Sequence, residues 1–287
     1  MKKKICDLII ISIIYLFAVA VGVFICVRLN GMLLKLFVFD VVATVIVFVF
    51  SVLLHNSSVY DAYWSFMPMI MAIWLFAEEK AWSVMHIAFL AIFLTWSVRL
   101  TLNWAGVFTD FSYEDWRYKK FRDETPRLLW PVVNFCGIHL MPTLVVFAGM
   151  LPLFVIVKAP MNYWSLPGMA VMAFGILLEF FADRQMHAFL KNGKTGEVCD
   201  FGLWKYSRHP NYLGEISFWL GVYLSMLPLS PAHWTYGIGF LSMTVMFNVV
   251  SVPLMEKRQL ARRPAYCEYR ETTSKLLILP KKTKRNA

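Results

Sequence analysis

Between Gly202 and Glu215 the chain reads GLWKYSRHPNYLGE, its densest run of groups able to do chemistry. Lys205, Arg208 and His209 supply cations or donors for an anion, and Tyr206 and Tyr212 add phenol rings and hydroxyls. Pro210 suits the first turn of a helix, where its missing N–H costs nothing. A helix opening there sets Asn211 and Glu215 one turn apart on one face. A carboxylate one turn inside an apolar helix needs a partner or a job. The pattern recurs with Arg99 and Asn103 and with Glu179 and Asp183, each pair at the end of an apolar segment, and Glu256 and Arg258 lie at the end of another. Four helix ends carrying polar groups at one level imply a shared polar cavity. Its cations suit phosphate, and its Asn, Asp and Glu suit ribose hydroxyls and amides. No GxGxxG follows a strand and no P-loop is present, so a nucleotide would have to be held by helix ends and loops.

A second group is Tyr60, Asp61, Tyr63 and Trp64. A carboxyl desolvated beside aromatic rings stays protonated longer and can polarise a substrate carbonyl. The plainer reading is an N-capping Asp61 among interfacial aromatics. EDWRY (114–118) and Arg122 form either a lid over the cavity or an interfacial amphipathic stretch. His139 reads as a satisfied core histidine, with no second His or Cys at metal spacing nearby. Cysteines 6, 26, 136, 199 and 267 are scattered and odd in number, which argues for free thiols and against a disulfide framework or a zinc site.

The elements that position these groups are membrane helices. Of the 287 residues 59% are hydrophobic and 16% charged, and apolar runs of about twenty residues, the length that crosses a bilayer core, recur along the chain. Ten-residue alternating segments typical of a barrel are absent. Eight apolar segments lie near 8–27, 36–54, 64–77, 83–102, 129–157, 163–182, 210–227 and 234–254. The first follows Lys2, Lys3 and Lys4 without a clean cleavage site, so it reads as a retained span. The third is short, Pro131, Pro142 and Pro152 kink the fifth, and the last two form a hairpin around Pro228–Pro231. The fold class expected is an all-α polytopic bundle of about seven to eight spans. Residues 1–54 would be N-terminal membrane helices and 55–287 the catalytic membrane domain.

The net charge of +10 invites a nucleic-acid reading, but the charges fall at span ends. With the N-terminus in the cytosol, twenty-three of the 28 Lys and Arg residues lie on the cytosolic side and four on the other, leaving Arg99 within a span. Both termini are therefore expected in the cytosol, with an even number of crossings. The membrane would be the plasma membrane of a bacterium or the endoplasmic reticulum of a eukaryote.

SRHPNYLGE resembles the signature of the steroid 5-alpha-reductase superfamily, in its DUF1295 branch. YDAYWS (60–65), RLTLNW (99–104), EDWRY (114–118), EFFADRQ (179–185) and SVPLMEKR (251–258) resemble family segments in family order, and together they cover roughly residues 55–280. The RHPNY…GE piece alone is also similar to membrane methyltransferases. The resemblance implies an NADPH-dependent reductase of a C=C bond conjugated to a carbonyl, with a lipophilic, steroid-like or other lipid substrate arriving from the bilayer. It implies cofactor contacts at Arg99, Glu179, Asp183, Asn211 and Glu215, with the basic loop 202–209 clamping phosphate. It also implies a carbonyl-binding carboxyl and phenol, placed at Asp61 and Tyr63. Steroid 5-alpha-reductases have Asn where Glu179 aligns and a histidine-rich patch where Met255–Arg258 aligns. Two alternatives stand beside the reductase: an S-adenosylmethionine-dependent membrane methyltransferase, and a non-catalytic lipid-binding protein of the same fold. The expected partners are the bilayer lipid and the lipophilic substrate, with no nucleic acid and no metal.

Overall fold

The computed structural model describes residues 2–192 and 196–282. The last five residues of the basic tail and residues 193–195 lie outside the described residues. The chain divides into two compact units, Met1–Pro160 and Met161–Ala287. Among the described residues the regular structure is helical, with a single isolated bridge between Ser207 and Ser274.

The first unit holds α1 (Lys2–Cys26), α2 (Met32–Leu53), α3 (Tyr63–Glu78), α4 (Val84–Val107), the short α5 (Trp116–Glu124) and the broken helix α6 (Trp130–Ile156). α1 is apolar all round, as a helix facing lipid must be. It buries only the stripe Asp7, Ile11, Ile14, Tyr15, Ala18, Gly22 and Cys26. At Gly22 an added Cβ would lie 2.8 Å from the Phe39 ring of α2, so the missing side chain lets that ring in. The third apolar segment is completed by a 3-10 turn, Ser57–Tyr60, that leads into α3. The expected division after residue 54 does not mark the edge of this unit, because buried bonds cross it. Tyr15 donates to the Val59 carbonyl at 2.6 Å, and Tyr63 donates to the Asp40 carbonyl at 2.8 Å.

α6 shows what its prolines do. Pro142 has no N–H to give the carbonyl of Ile138, so the helix widens into a π stretch, Asn134–Leu140, just before it. Met141 accordingly donates to Cys136, five residues back. α6 breaks again at Leu151 and Pro152.

The second unit holds α7 (Leu166–Lys191), α8 (Pro210–Met226), α9 and the short α10 (Tyr266–Thr272). α9 comprises Ile238–Met246, a π stretch Phe247–Ser251 and Val252–Arg262. The second π stretch again directly precedes a proline, Pro253. α7 and α8 run antiparallel in backbone contact. A Cβ on Gly175 would sit 2.5 Å from the Gly214 carbonyl, and one on Gly221 would sit 2.5 Å from the Met172 nitrogen. Small residues are how membrane helices pack closely where the hydrophobic effect gives no drive.

Among the described residues, seven helices are long and apolar enough to cross a membrane. The 17-residue α8 is an eighth apolar helix, largely buried against α7. The protein is thus a multi-pass, all-helical membrane protein.

Candidate functional site

In the second unit the functional stretch begins with a turn that only glycine fits. Gly202 has φ +57°, and a Cβ there would lie 2.5 Å from the Gln185 side chain. Gln185 Oε1 accepts from the Leu203 N–H at 2.8 Å, and Trp204 Nε1 donates to the Ala182 carbonyl at 3.0 Å. The loop is thereby stapled to the end of α7. Ala182, Phe189, Cys199 and Trp204 form an apolar cluster beneath it. Burial pushes the Cys199 thiol up to about 11, so it stays protonated.

A strap from the C-terminal segment fixes the loop from its other side. Ser207 Oγ donates to the Leu276 carbonyl at 2.6 Å and Arg208 N donates to the Ser274 carbonyl at 2.9 Å. Tyr269 OH donates to the Trp204 carbonyl at 2.5 Å. Arg208 sits at the hub: its Nε donates to Glu256 Oε1 at 2.8 Å and its Nη1 to the carbonyls of Arg270 and Thr273. His209 Nε2 lies 3.2 Å from the same Glu256 oxygen. Burial lowers the His209 pKa, outweighing the opposing pull of Glu256, while Arg208 and Lys275 add to the lowering. Pro210 opens α8 as its first residue, as expected.

These elements enclose a cavity of about 440 Å³. α7 lines it with Asp183, Met186, His187 and Leu190, and α9 with Met255, Arg258, Gln259 and Arg262. Both sets follow the i, i+3, i+4, i+7 spacing of a single helix face. Arg208, His209, Asn211 and Tyr212 contribute from the loop and α8, and Arg263, Tyr266 and Tyr269 from the segment after α9. The Tyr212 ring is stacked between His209, at 5.4 Å, and Phe247, at 4.5 Å.

Five residues of the predicted nucleotide group therefore meet at one hollow: Asp183, Arg208, His209, Asn211 and Tyr212. The others lie elsewhere. Glu215 is buried on α8 and accepts from Trp219 Nε1 at 2.8 Å. Glu179 is buried on α7 against Gly214. Lys205 and Tyr206 are exposed, with the ammonium 5.8 Å from the ring centre. Arg99 belongs to the first unit, on α4. Arg262 and Arg263 and the tyrosines 266 and 269 were not singled out from the sequence, where the arginines read as orientation charges. The spacing of 255, 258, 259 and 262 was the signal that could have found the α9 face.

In the first unit, Asp61 and Tyr63 do not share a site, because residues two apart at a helix start face different ways. Asp61 Oδ1 accepts from Tyr118 of α5 at 2.6 Å. Burial and the neighbouring Asp61 charge hold the Tyr118 phenol well above its usual range. EDWRY is fastened onto the 57–61 turn: Glu114 accepts from the Ser57 N–H at 2.9 Å and from Arg122 at 2.6 Å, and the Asp115 N–H donates to Ser58 at 2.9 Å. Tyr63 instead donates to Asp40 Oδ1 at 2.8 Å, inside the bundle. His139 is satisfied only in part. Its Nδ1 meets the Asn134 carbonyl at 3.0 Å, whereas its buried Nε2 has no hydrogen-bond partner among the described residues.

An uncharacterised protein of Schizosaccharomyces pombe is 25% identical over 255 residues, covering 77% of this chain and 72% of its own length. No solved structure matches the chain. The family model described as "Protein of unknown function (DUF1295)" matches residues 47–273, most of both units, and on that match the chain belongs to the DUF1295 family.

Proposed function

We propose that the protein is an NADPH-dependent membrane reductase of a C=C bond conjugated to a carbonyl in a lipophilic substrate. The observation that carries this reading is the helix-end cavity, where five of the residues expected to hold a dinucleotide converge with further arginines. The donor set fits such a ligand. Arg208, Arg258, Arg262 and Arg263 line the cavity and supply guanidinium groups suited to phosphate. Asn211 and Asp183 suit hydroxyls and amides, and the tyrosines offer faces for a flat ring. NADPH, when bound, supplies a hydride for the β carbon of the enone. The chain's own task is to bind, to orient and to place a proton. By the resemblance, Tyr63 or a protonated Asp61 would leave its partner in the fold, Asp40 or Tyr118, to hydrogen-bond the carbonyl oxygen and make the β carbon electrophilic. The resemblance to steroid 5-alpha-reductases points the same way. The Lys and Arg distribution favours both termini, and the cavity with them, on the cytosolic side.

RHPNY and Glu215 also suit a methyltransferase, and a cavity of this size suits S-adenosylmethionine as well. Thermal unfolding of the purified protein with each ligand decides between them. Stabilisation by NADPH is expected. Stabilisation by S-adenosylmethionine alone would replace the reductase with the methyltransferase, and stabilisation by neither would leave a lipid-binding protein. NADPH oxidation driven by added enones then tests the reaction, and mass spectrometry of lipid that co-purifies narrows the substrate.

A further inference from the structure

The interior of the first unit contains a connected run of hydroxyls that the cavity does not use. Tyr63 OH donates to Asp40, whose Oδ1 and backbone carbonyl are each 2.8 Å away. Thr44 Oγ1 donates to Tyr63 OH at 3.0 Å. The Thr44 and Thr143 hydroxyls are 2.9 Å apart, and Tyr60 OH is 2.8 Å from Thr143 Oγ1. All five residues are buried.

Each hydroxyl has one proton, and that fixes the direction. The Thr44 proton goes to Tyr63, so Thr44 and Thr143 are hydrogen-bonded only when Thr143 donates to Thr44, and Tyr60 then donates to Thr143. Every proton in the run then points from Tyr60 toward Asp40. The Thr143 proton has a second acceptor, the His139 carbonyl at 2.9 Å, so rotation of this one hydroxyl makes or breaks the run. His139 stands at the Tyr60 end, with its ring 4.8 Å from the Tyr60 ring. Its Nδ1 faces a carbonyl, which can only accept, so Nδ1 carries the hydrogen and Nε2 is a bare lone pair. That lone pair is buried and unpartnered among the described residues, a costly arrangement for a purely structural histidine.

We propose that Tyr60, Thr143, Thr44, Tyr63 and Asp40 form a proton relay within the membrane, switched by the Thr143 hydroxyl, with His139 as the base at the Tyr60 end. A proton from hydronium, which leaves water behind, binds His139 Nε2 and passes on to the Tyr60 oxygen, displacing the phenol's own proton to Thr143. Thr143 passes its proton to Thr44, Thr44 to Tyr63, and Tyr63 to the Asp40 carboxylate. Each hydroxyl oxygen forms one O–H bond and breaks one, the carboxylate gains one, and no electrons change hands. The relay rests on the reductase reading only for its use: the enolate left by hydride addition needs one proton, and the run refills the group that gives it.

Time-resolved infrared spectroscopy on the full protein in lipid tests the relay without any substrate. The Asp40 carboxyl band is identified by its loss in Asp40→Asn. Its rate of appearance after a pH drop is then followed or, where the group is already protonated, its rate of shift on transfer to D2O. Thr143→Val and Tyr60→Phe are each expected to slow that rate about tenfold or more. Thr143→Ser keeps the hydroxyl while losing a methyl, and is expected to restore the wild-type rate. A merely structural threonine would show the reverse order, with Val tolerated and Ser not. Equal rates in wild type, Thr143→Val and Tyr60→Phe would overturn the relay. If one of these two variants fails to fold, the other decides. Absence of enone-driven NADPH oxidation with a relay signature present would remove the reductase and leave the relay. Oxidation with unchanged exchange rates would do the opposite.

Discussion

Asp40 lies well within α2 and is answered by a neutral hydroxyl, that of Tyr63, whereas Glu256 lies on α9 and is answered by Arg208 and His209. Both carboxyls are nearly inaccessible, at 3% and 8% exposed. The first unit thus satisfies its buried carboxyl by hydrogen bonds alone, without importing a second charge into the bundle. The second unit gathers charges where helices end, and the loop, the strap and the cavity are tied to one another through them. The packing differs in parallel. α7 and α8 touch backbone to backbone across glycines, while α1 and α2 meet at Gly22 mainly through the Phe39 ring, which can move. A buried run of hydroxyls suits the movement of protons. A charged hollow suits the holding of a polyanion.

The largest effect should separate the two kinds of packing. Gly175→Leu is expected to yield no folded second unit, because the atoms in its way are the Gly214 carbonyl and the Phe218 nitrogen. Gly22→Ala should cost only about 1–3 kcal/mol, as ordinary overpacking does. Thermal unfolding in detergent checks both, and comparable losses would dissolve the contrast. Next, Glu256→Ala should cost about 3–5 kcal/mol by leaving Arg208 buried without its partner. Asp40→Asn keeps an acceptor for Tyr63 and should cost about 1 kcal/mol. Denaturant titration ranks them, and a larger loss at Asp40 would reverse the comparison.

A smaller effect concerns the ligand. Arg258→Ala with Arg262→Ala should weaken NADPH binding about 10- to 100-fold, measured by calorimetry, and leave Asp40 proton exchange unchanged. Undiminished affinity would take the phosphates away from α9. The smallest effect is in pH. Burial lowers the His209 pKa below its usual 6.5, so the unfolded chain binds a proton there before the folded one does. Stability of the second unit should therefore hold above about 6.5 and decline as pH falls below it. His209→Gln should flatten that decline, and an unchanged profile would assign the slope to another group.

Much of the fold is readable from the sequence because lipid imposes one rule on every span: an apolar helix of sufficient length. All eight apolar segments appear as helices, and the prolines expected to disturb the fifth do so. The site is less readable. Residues on one helix face, such as Asp183 with the end of α7, or Asn211 and Tyr212 at the start of α8, follow from spacing. Glu179 and Glu215 have the same spacing but turn into the interior of their unit, where the glycines of a neighbouring helix make room, and spacing alone does not say which face a neighbour covers. Asp61 and Tyr63 are two residues apart in sequence but bond to separate partners, Tyr118 and Asp40. Asp40, the partner Tyr63 does have, stands inside LFVFDVVAT with no neighbour in sequence to announce it. Its meaning depends on α3 and α6 arriving beside it.

The widened turn before Pro142 amounts to one extra residue threaded into α6. Its presence sets the phase of everything downstream, since each residue of an α-helix advances the azimuth by about 100°. Closing the ladder in ordinary register with every residue kept, as Pro142→Ala would favour, would swing Thr143 roughly a quarter turn away from Thr44 and Tyr60. The inward face of this helix is therefore held by an irregularity in counting as much as by the identity of the side chains it carries.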